Sequence, residues 1–222
     1  MTKIKVGVLG GTFDPVHNGH LLVAQKALEL LKLSQVYLVT AKSPPHKASY
    51  LACAEHRHSL VEKAVQSTGV KELVASRLEL DRPGTSFTVD TVRAIKQEIE
   101  SRHEGSQCEV FLITSAEYLE QGKAGVHFLG DWEGADELLR LAHLVVTPRR
   151  QITAAIASEW AESLLARGAR VTVLDLQSPP ISSLLIKRRL KAGEPIADMV
   201  PAAVEAHIKQ FSLYQGDLPD FD

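Results

Sequence analysis

Residues 4–9 (Ile-Lys-Val-Gly-Val-Leu) form a short apolar run that stops at Gly10-Gly11. A run of that length closed by a turn signal predicts a buried strand. From Leu21 to Leu33 apolar residues recur at helical spacing with Lys and Glu between them, and residues 35–40 are again strand-like around Val-Tyr-Leu-Val. Strand, Gly-rich loop, helix, strand is a βαβ unit, which calls for a parallel sheet and a right-handed crossover. The alternation continues. Residues 41–54 contain Pro44-Pro45 and read as a loop, 55–67 as helix, 72–80 as extended, 88–102 as helix and 109–114 as strand. After a Gly-containing stretch come a helix near 132–142, a strand at 143–147, a helix at 151–167 and a strand at 170–176. Residues 182–212 read as helical with a break around Gly193-Glu194-Pro195. The expected architecture is one doubly wound, Rossmann-like α/β domain over 1–222, with helices on both faces and a helical C-terminal part. Ligands on such folds sit at the carboxyl ends of strands, so the loops at 10–20, 41–47, 80–90, 114–132 and 177–188 are the places to search.

Composition narrows the classes. The 222 residues are 45% hydrophobic and 23% charged, ordinary globular values that exclude disordered and fibrous chains. Twenty-five Lys and Arg against 27 Asp and Glu argue against a nucleic-acid polymer or a membrane as partner. Any phosphate site must therefore be a local cluster. Two cysteines, Cys53 and Cys108, cannot form a disulfide framework, and no apolar run is long enough to span a bilayer. The expectation is a cytoplasmic protein, its oligomeric state open.

Three loops carry candidate chemistry. The first reads Gly10-Gly11-Thr12-Phe13-Asp14-Pro15-Val16-His17-Asn18-Gly19-His20 and leads into a helix. It is neither a Walker A loop nor Gly-x-Gly-x-x-Gly, yet it has the makings of a phosphate site. Its glycines allow close backbone approach, a helix N-terminus offers N–H groups and the positive end of a dipole, and His17 and His20 stand where one anion could meet both. The plainer alternative is a Gly-rich turn with two surface histidines. The second loop, Ser43-Pro44-Pro45-His46-Lys47, places a cation after the second strand. The third runs from Pro179 through Ser182, Ser183, Lys187 and Arg188, and offers a capped helix start with cations one turn on. Each of these two, alone, is also an ordinary surface feature. Cys53, His56 and His58, with His46 upstream, form a weak zinc candidate, since such a site needs four ligands at suitable spacing. Trp160 reads as packing.

Taken together, these segments resemble the HxGH nucleotidyltransferases, and within them the bacterial nicotinate-nucleotide adenylyltransferases. Residues 10–20 match the first motif without a gap. Pro45-His46-Lys47 is similar to the family's phosphate-binding loop, and Glu55-His56-Arg57 followed by an apolar helix is similar to the family too. Ser86-Phe87-Thr88-Val89-Asp90-Thr91-Val92 is similar to Ser-Tyr-Thr-x-Asp-Thr-Leu, and Ile181-Ser182-Ser183 to the start of Ile-Ser-Ser-Thr-x-Ile-Arg. The resemblance implies transfer of AMP from ATP to nicotinate mononucleotide, giving deamido-NAD and pyrophosphate, with Mg²⁺ carried on the nucleotide. It implies that Gly10, Gly11, Thr12 and Phe13 line the ATP site. His17 and His20 would bind the ATP phosphates and Lys47 a phosphate at the reacting centre. Thr88 and Trp132 would hold the pyridine ring, and Ser182, Ser183 and Lys187, with Arg188 beside it, the triphosphate.

The chain departs from the family at Ser115-Ala116-Glu117, where Gly-Ala-Asp is usual, and in a longer spacing from Glu117 to Trp132. It also has Leu184 in place of Thr and Lys187 in place of Arg, which loses a two-pronged grip on phosphate. Transfer to nicotinamide mononucleotide or phosphopantetheine, or nucleotide binding with little catalysis, stays open at this level.

Overall fold

The computed structural model describes residues 2–42, 52–121, 128–149, 151–176 and 178–215. Among the described residues six strands form one parallel sheet: β1 (Lys3–Gly11), β2 (Gln35–Thr40), β3 (Leu73–Ser76), β4 (Gln107–Ser115), β5 (Ala142–Thr147) and β6 (Arg170–Val173). Their spatial order is β3-β2-β1-β4-β5-β6, the doubly wound arrangement. The chain builds outward from β1 through β2 and β3, then returns to place β4 on the other side of β1. In the register Val8 lies opposite Tyr37 on one side and Leu112 on the other. The order reverses between β1 and β4, and the connections on either side leave in opposite directions. A crevice therefore opens above the carboxyl ends of these two strands.

Among the described residues eight α-helices surround the sheet: α1 (Asn18–Leu30), α2 (Ala54–Thr68), α3 (Leu78–Asp81), α4 (Thr88–Arg102), α5 (Ala135–Leu141), α6 (Ala154–Ala166), α7 (Ser183–Lys191) and α8 (Ala202–Gln210). Because side chains alternate across a strand, the sheet feeds two cores. One gathers Leu9, Leu38 and Ile113 with Ala24 of α1, Leu60 of α2, Ile186 of α7 and Val204 of α8. The other gathers Val8, Val39 and Leu112 with Ile95 of α4, Leu138 of α5 and Leu164 of α6. Helices on both faces were expected from the alternation, and Trp160 packs at the edge of the second core.

Several boundaries differ from the sequence expectation. The segment 72–80 is extended only to Ser76; Arg77 then opens the single helical turn α3, where it is held by Glu55 and Asp81. α6 begins at Ala154, after Thr153 caps it by accepting from the Ile156 N–H. β6 ends at Val173 rather than 176. The break expected near Gly193 extends to Pro201, and Met199 within it accepts from the Asn18 N–H through its carbonyl. The C-terminal helices are thereby anchored against the start of α1. Among the described residues no helix is long and apolar enough to cross a membrane.

Candidate nucleotide-binding site

The crevice is a cleft of about 560 Å³. Its floor is the end of β1 and the following loop, Gly10 to Asp14. At Gly10 an added Cβ would meet nothing within 4 Å. Phe13 adopts a left-handed backbone (φ 48°) while its ring is buried edge-on against His20, centroids 5.1 Å apart. Left-handed geometry at a bulky residue is costly and persists where its surroundings enforce it.

His17 is the N-cap of α1, with extended backbone, and no acidic residue in the first turn offsets the helix dipole. The His17 and His20 rings stack at 3.7 Å. His20 Nδ1 accepts from the His17 backbone N–H at 3.2 Å, which leaves the ring proton on Nε2. Gly19 makes room for this arrangement, because a Cβ there would come within 3.0 Å of His17 Nδ1. Both His17 ring nitrogens are buried without a hydrogen-bond partner. Burial, reinforced by the Arg149 charge, lowers the His17 pKa to about 3, so the ring is neutral at physiological pH. A buried imidazole without partners is costly on its own account, and an anionic ligand at the helix end would satisfy it.

The third loop closes one wall. Ser182 caps α7 by accepting from the Leu185 N–H, and Ser183 donates its hydroxyl proton to the Pro15 carbonyl, tying α7 to the first loop. Both serines line the cleft, as does Lys187, but Lys187 is buried and its ammonium is bonded to the equally buried Asp14 carboxylate. Arg188 is exposed and does not line the cleft, since one residue along a helix turns the side chain by about 100°. The opposite wall carries Thr88 at the start of α4 and Trp132, whose ring meets Tyr118 edge-on at 5.3 Å. Glu79 faces the same wall; burial raises its pKa while its carboxylate accepts from the Thr91 hydroxyl at 2.7 Å.

Every residue that the family resemblance assigns to ATP or the acceptor and that falls among the described residues, apart from Arg188, thus lines one cleft. Lys47 and its Pro-Pro-His neighbours lie outside the described residues. The zinc candidate does not assemble among the described residues: His58 pairs with Thr40, His56 with His207, and Cys53 is free. Sequence reasoning did not single out Asp14, Glu79, Tyr118 or Arg149. Arg149 stands two residues past the end of β5, and the rule about strand ends would have found it had that loop been searched.

Arg57, quoted in the sequence only for resemblance, proves to be a hub. It is 2% exposed, and its guanidinium donates to the carbonyls of Thr12, Ala41, Lys42 and Ala52 at 2.6–3.0 Å. The Ala52 N–H in turn donates to Asp14. The first loop, the exit of β2 and the entry of α2 are therefore fastened together by one side chain.

A helix N-terminus, two histidines and a Gly-rich strand end at the switch point of a 3-2-1-4-5-6 sheet define a nucleotide-binding α/β protein, and comparison with known proteins gives its family. The cytidylyltransferase-like family model matches residues 8–189. A Thermus thermophilus protein named "probable nicotinate-nucleotide adenylyltransferase" is 37% identical over 96% of this chain and 100% of its own length. A Synechococcus protein of the same name is 34% identical over 95% of this chain and 94% of its own. The structure of Plasmodium falciparum nicotinic acid mononucleotide adenylyltransferase complexed with NaAD has the same fold, with a TM-score of 0.72 at 15% identity over 96% of this chain and 98% of that one. The chain belongs to the cytidylyltransferase-like family and, within it, to the nicotinate-nucleotide adenylyltransferases.

Proposed function

We infer that the protein transfers AMP from ATP to the phosphate of nicotinate mononucleotide, forming deamido-NAD and pyrophosphate. The observation that carries this reading is the His17–His20 stack at the N-terminus of α1, at the switch point of the sheet and in a chain whose relatives share that activity name. The attacking phosphate is largely dianionic at pH 7, its second pKa being about 6, so the reaction needs no general base and no covalent nucleophile. It needs two anions brought in line and charge neutralised on the leaving pyrophosphate. The His17 and His20 imidazoles donate N–H groups to phosphate, the α1 dipole favours the anion, and the Thr88–Trp132 wall receives the pyridine ring.

Gly10, Gly11, Thr12 and Phe13 form the nucleotide floor in this reading, Ser182 and Ser183 the end that faces the triphosphate, and Lys47 a further phosphate contact. Mg²⁺ would be carried on the nucleotide and water, a common arrangement for this cation at phosphate sites. The whole chain serves as one nucleotidyltransferase domain with α7 and α8 as its C-terminal part, working in the cytoplasm where ATP is at hand. Pyrophosphate release measured with ATP and a panel of acceptors (nicotinate mononucleotide, nicotinamide mononucleotide, phosphopantetheine) tests the reading. Turnover is expected with the first, and absence of turnover with all three overturns it.

A further inference from the structure

We propose that Arg149 is a catalytic residue of this reaction, its guanidinium gripping phosphate oxygens where the acceptor phosphate meets the α-phosphorus of ATP. The proposal rests on the adenylyl-transfer reading above.

Position is the first argument. β4 and β5 run side by side with Ser115 opposite Thr147, and the Thr147 hydroxyl donates to the Thr114 carbonyl, fixing the two strand ends together. Two residues past Thr147 comes Arg149; two and three past Ser115 come Glu117 and Tyr118. Arg149 lines the cleft with its side chain about one-third exposed. Its charge reaches the His17 ring on the ATP side, and it also reaches the Tyr118 hydroxyl on the acceptor side, where it opposes the upward push of burial. It lines the same cleft as His17 and Tyr118.

Charge is the second argument. Of the described residues lining the cleft, Lys187 brings an ammonium group and Arg149 a guanidinium. Lys187 is neutralised by Asp14 deep in the wall. Arg149 is met by Glu117 only at 3.8 Å, both side chains being part-exposed, and a loose pair of that kind holds a cation weakly. A phosphate dianion offers two oxygens to the guanidinium fork, a stronger partner than one distant carboxylate oxygen. Glu117, one methylene longer than the Asp usual in the family, would park the guanidinium at the site until substrate arrives.

In the step itself an oxygen of the mononucleotide phosphate attacks the α-phosphorus and forms a new P–O bond. The bond from the α-phosphorus to the bridging oxygen breaks, and its electron pair leaves with pyrophosphate. Arg149 transfers no proton. It offsets the repulsion between the two anions, which is greatest when they are closest, so its effect belongs to turnover more than to the binding of either substrate.

The test compares Arg149→Ala and Arg149→Lys with the wild type by steady-state kinetics in both substrates, thermal melting, and calorimetric binding of a non-hydrolysable ATP analogue. The alanine variant is expected to lose about 10²-fold or more in kcat. Its two KM values and its analogue affinity should stay within about threefold, its melting temperature should hold, and lysine should restore part of the loss. A kcat above one-third of wild type overturns the assignment. So does a loss confined to the KM of one substrate, or a loss that lysine does not relieve and that tracks a fall in melting temperature. A wild-type chain that releases no pyrophosphate with any acceptor removes the adenylyl-transfer reading, and this assignment with it.

Discussion

His17 illustrates how a single residue can set a pH dependence. In the unfolded chain its pKa is the ordinary 6.5, and in the fold it is about 3, so above pH 6.5 both states are neutral and the group adds no pH dependence. Below pH 6.5 the unfolded chain takes up a proton that the folded one refuses, and stability falls with pH until about pH 3, by up to about 1.4 kcal/mol per unit. Replacing His17 with Asn removes this slope. Urea denaturation of both proteins should show their stability difference move in favour of the variant by about 2 kcal/mol between pH 7 and pH 5; a constant difference would refute the buried neutral ring. Lys187 makes a second case. The sequence comparison points it at phosphate, whereas the structure bonds it to Asp14 with both side chains buried. Lys187→Met should therefore cost about 3–5 kcal/mol by stranding a buried carboxylate. The double variant with Asp14→Asn should cost clearly less than the sum of the single changes. Denaturation midpoints of the four proteins check this, and a fully stable Lys187→Met with raised KM for ATP would return the lysine to the phosphate.

Loops at the ends of elements are held by Arg57. Its four carbonyl partners come from the loop after β1, the exit of β2 and the entry to α2, so these pieces share one fastening. Arg57→Met should leave buried carbonyls unpaired and destabilise by roughly 3 kcal/mol or more, and Arg57→Lys, with its single donor head, by an intermediate amount. Urea midpoints would read both, and an unchanged midpoint for the Met variant would mean that water replaces the guanidinium. At this scale the sequence reported element type well and element ends less well. Periodicity identified β1, α1, β2 and α4, because an apolar stripe is a property of the segment itself. It overran β3 and β6, because their ends are decided by contacts made elsewhere, such as Arg77 reaching across to Glu55 on α2.

In the proposed reading the acceptor is chosen by the molecule as a whole, since Thr88, Trp132 and Tyr118 come from separate stretches of chain and line one cleft. The start of α4 offers N–H and hydroxyl donors that suit a carboxylate, while an amide would set its NH₂ against them. The acid mononucleotide should accordingly exceed the amide in kcat/KM by at least about tenfold; equal values would leave only the broader adenylyltransferase activity. The sequence by itself determined the alternation of strands and helices, the first motif with His17 and His20, and the family. These depend on local spacing and on residues adjacent in the chain. Only the tertiary structure decided that Lys187 pairs with Asp14, that Arg57 fastens three loops, and that Arg149 lines the same cleft as His17. Each is a partnership between residues remote in sequence, such as Asp14 and Lys187, and burial turns such a pairing into an energetic requirement.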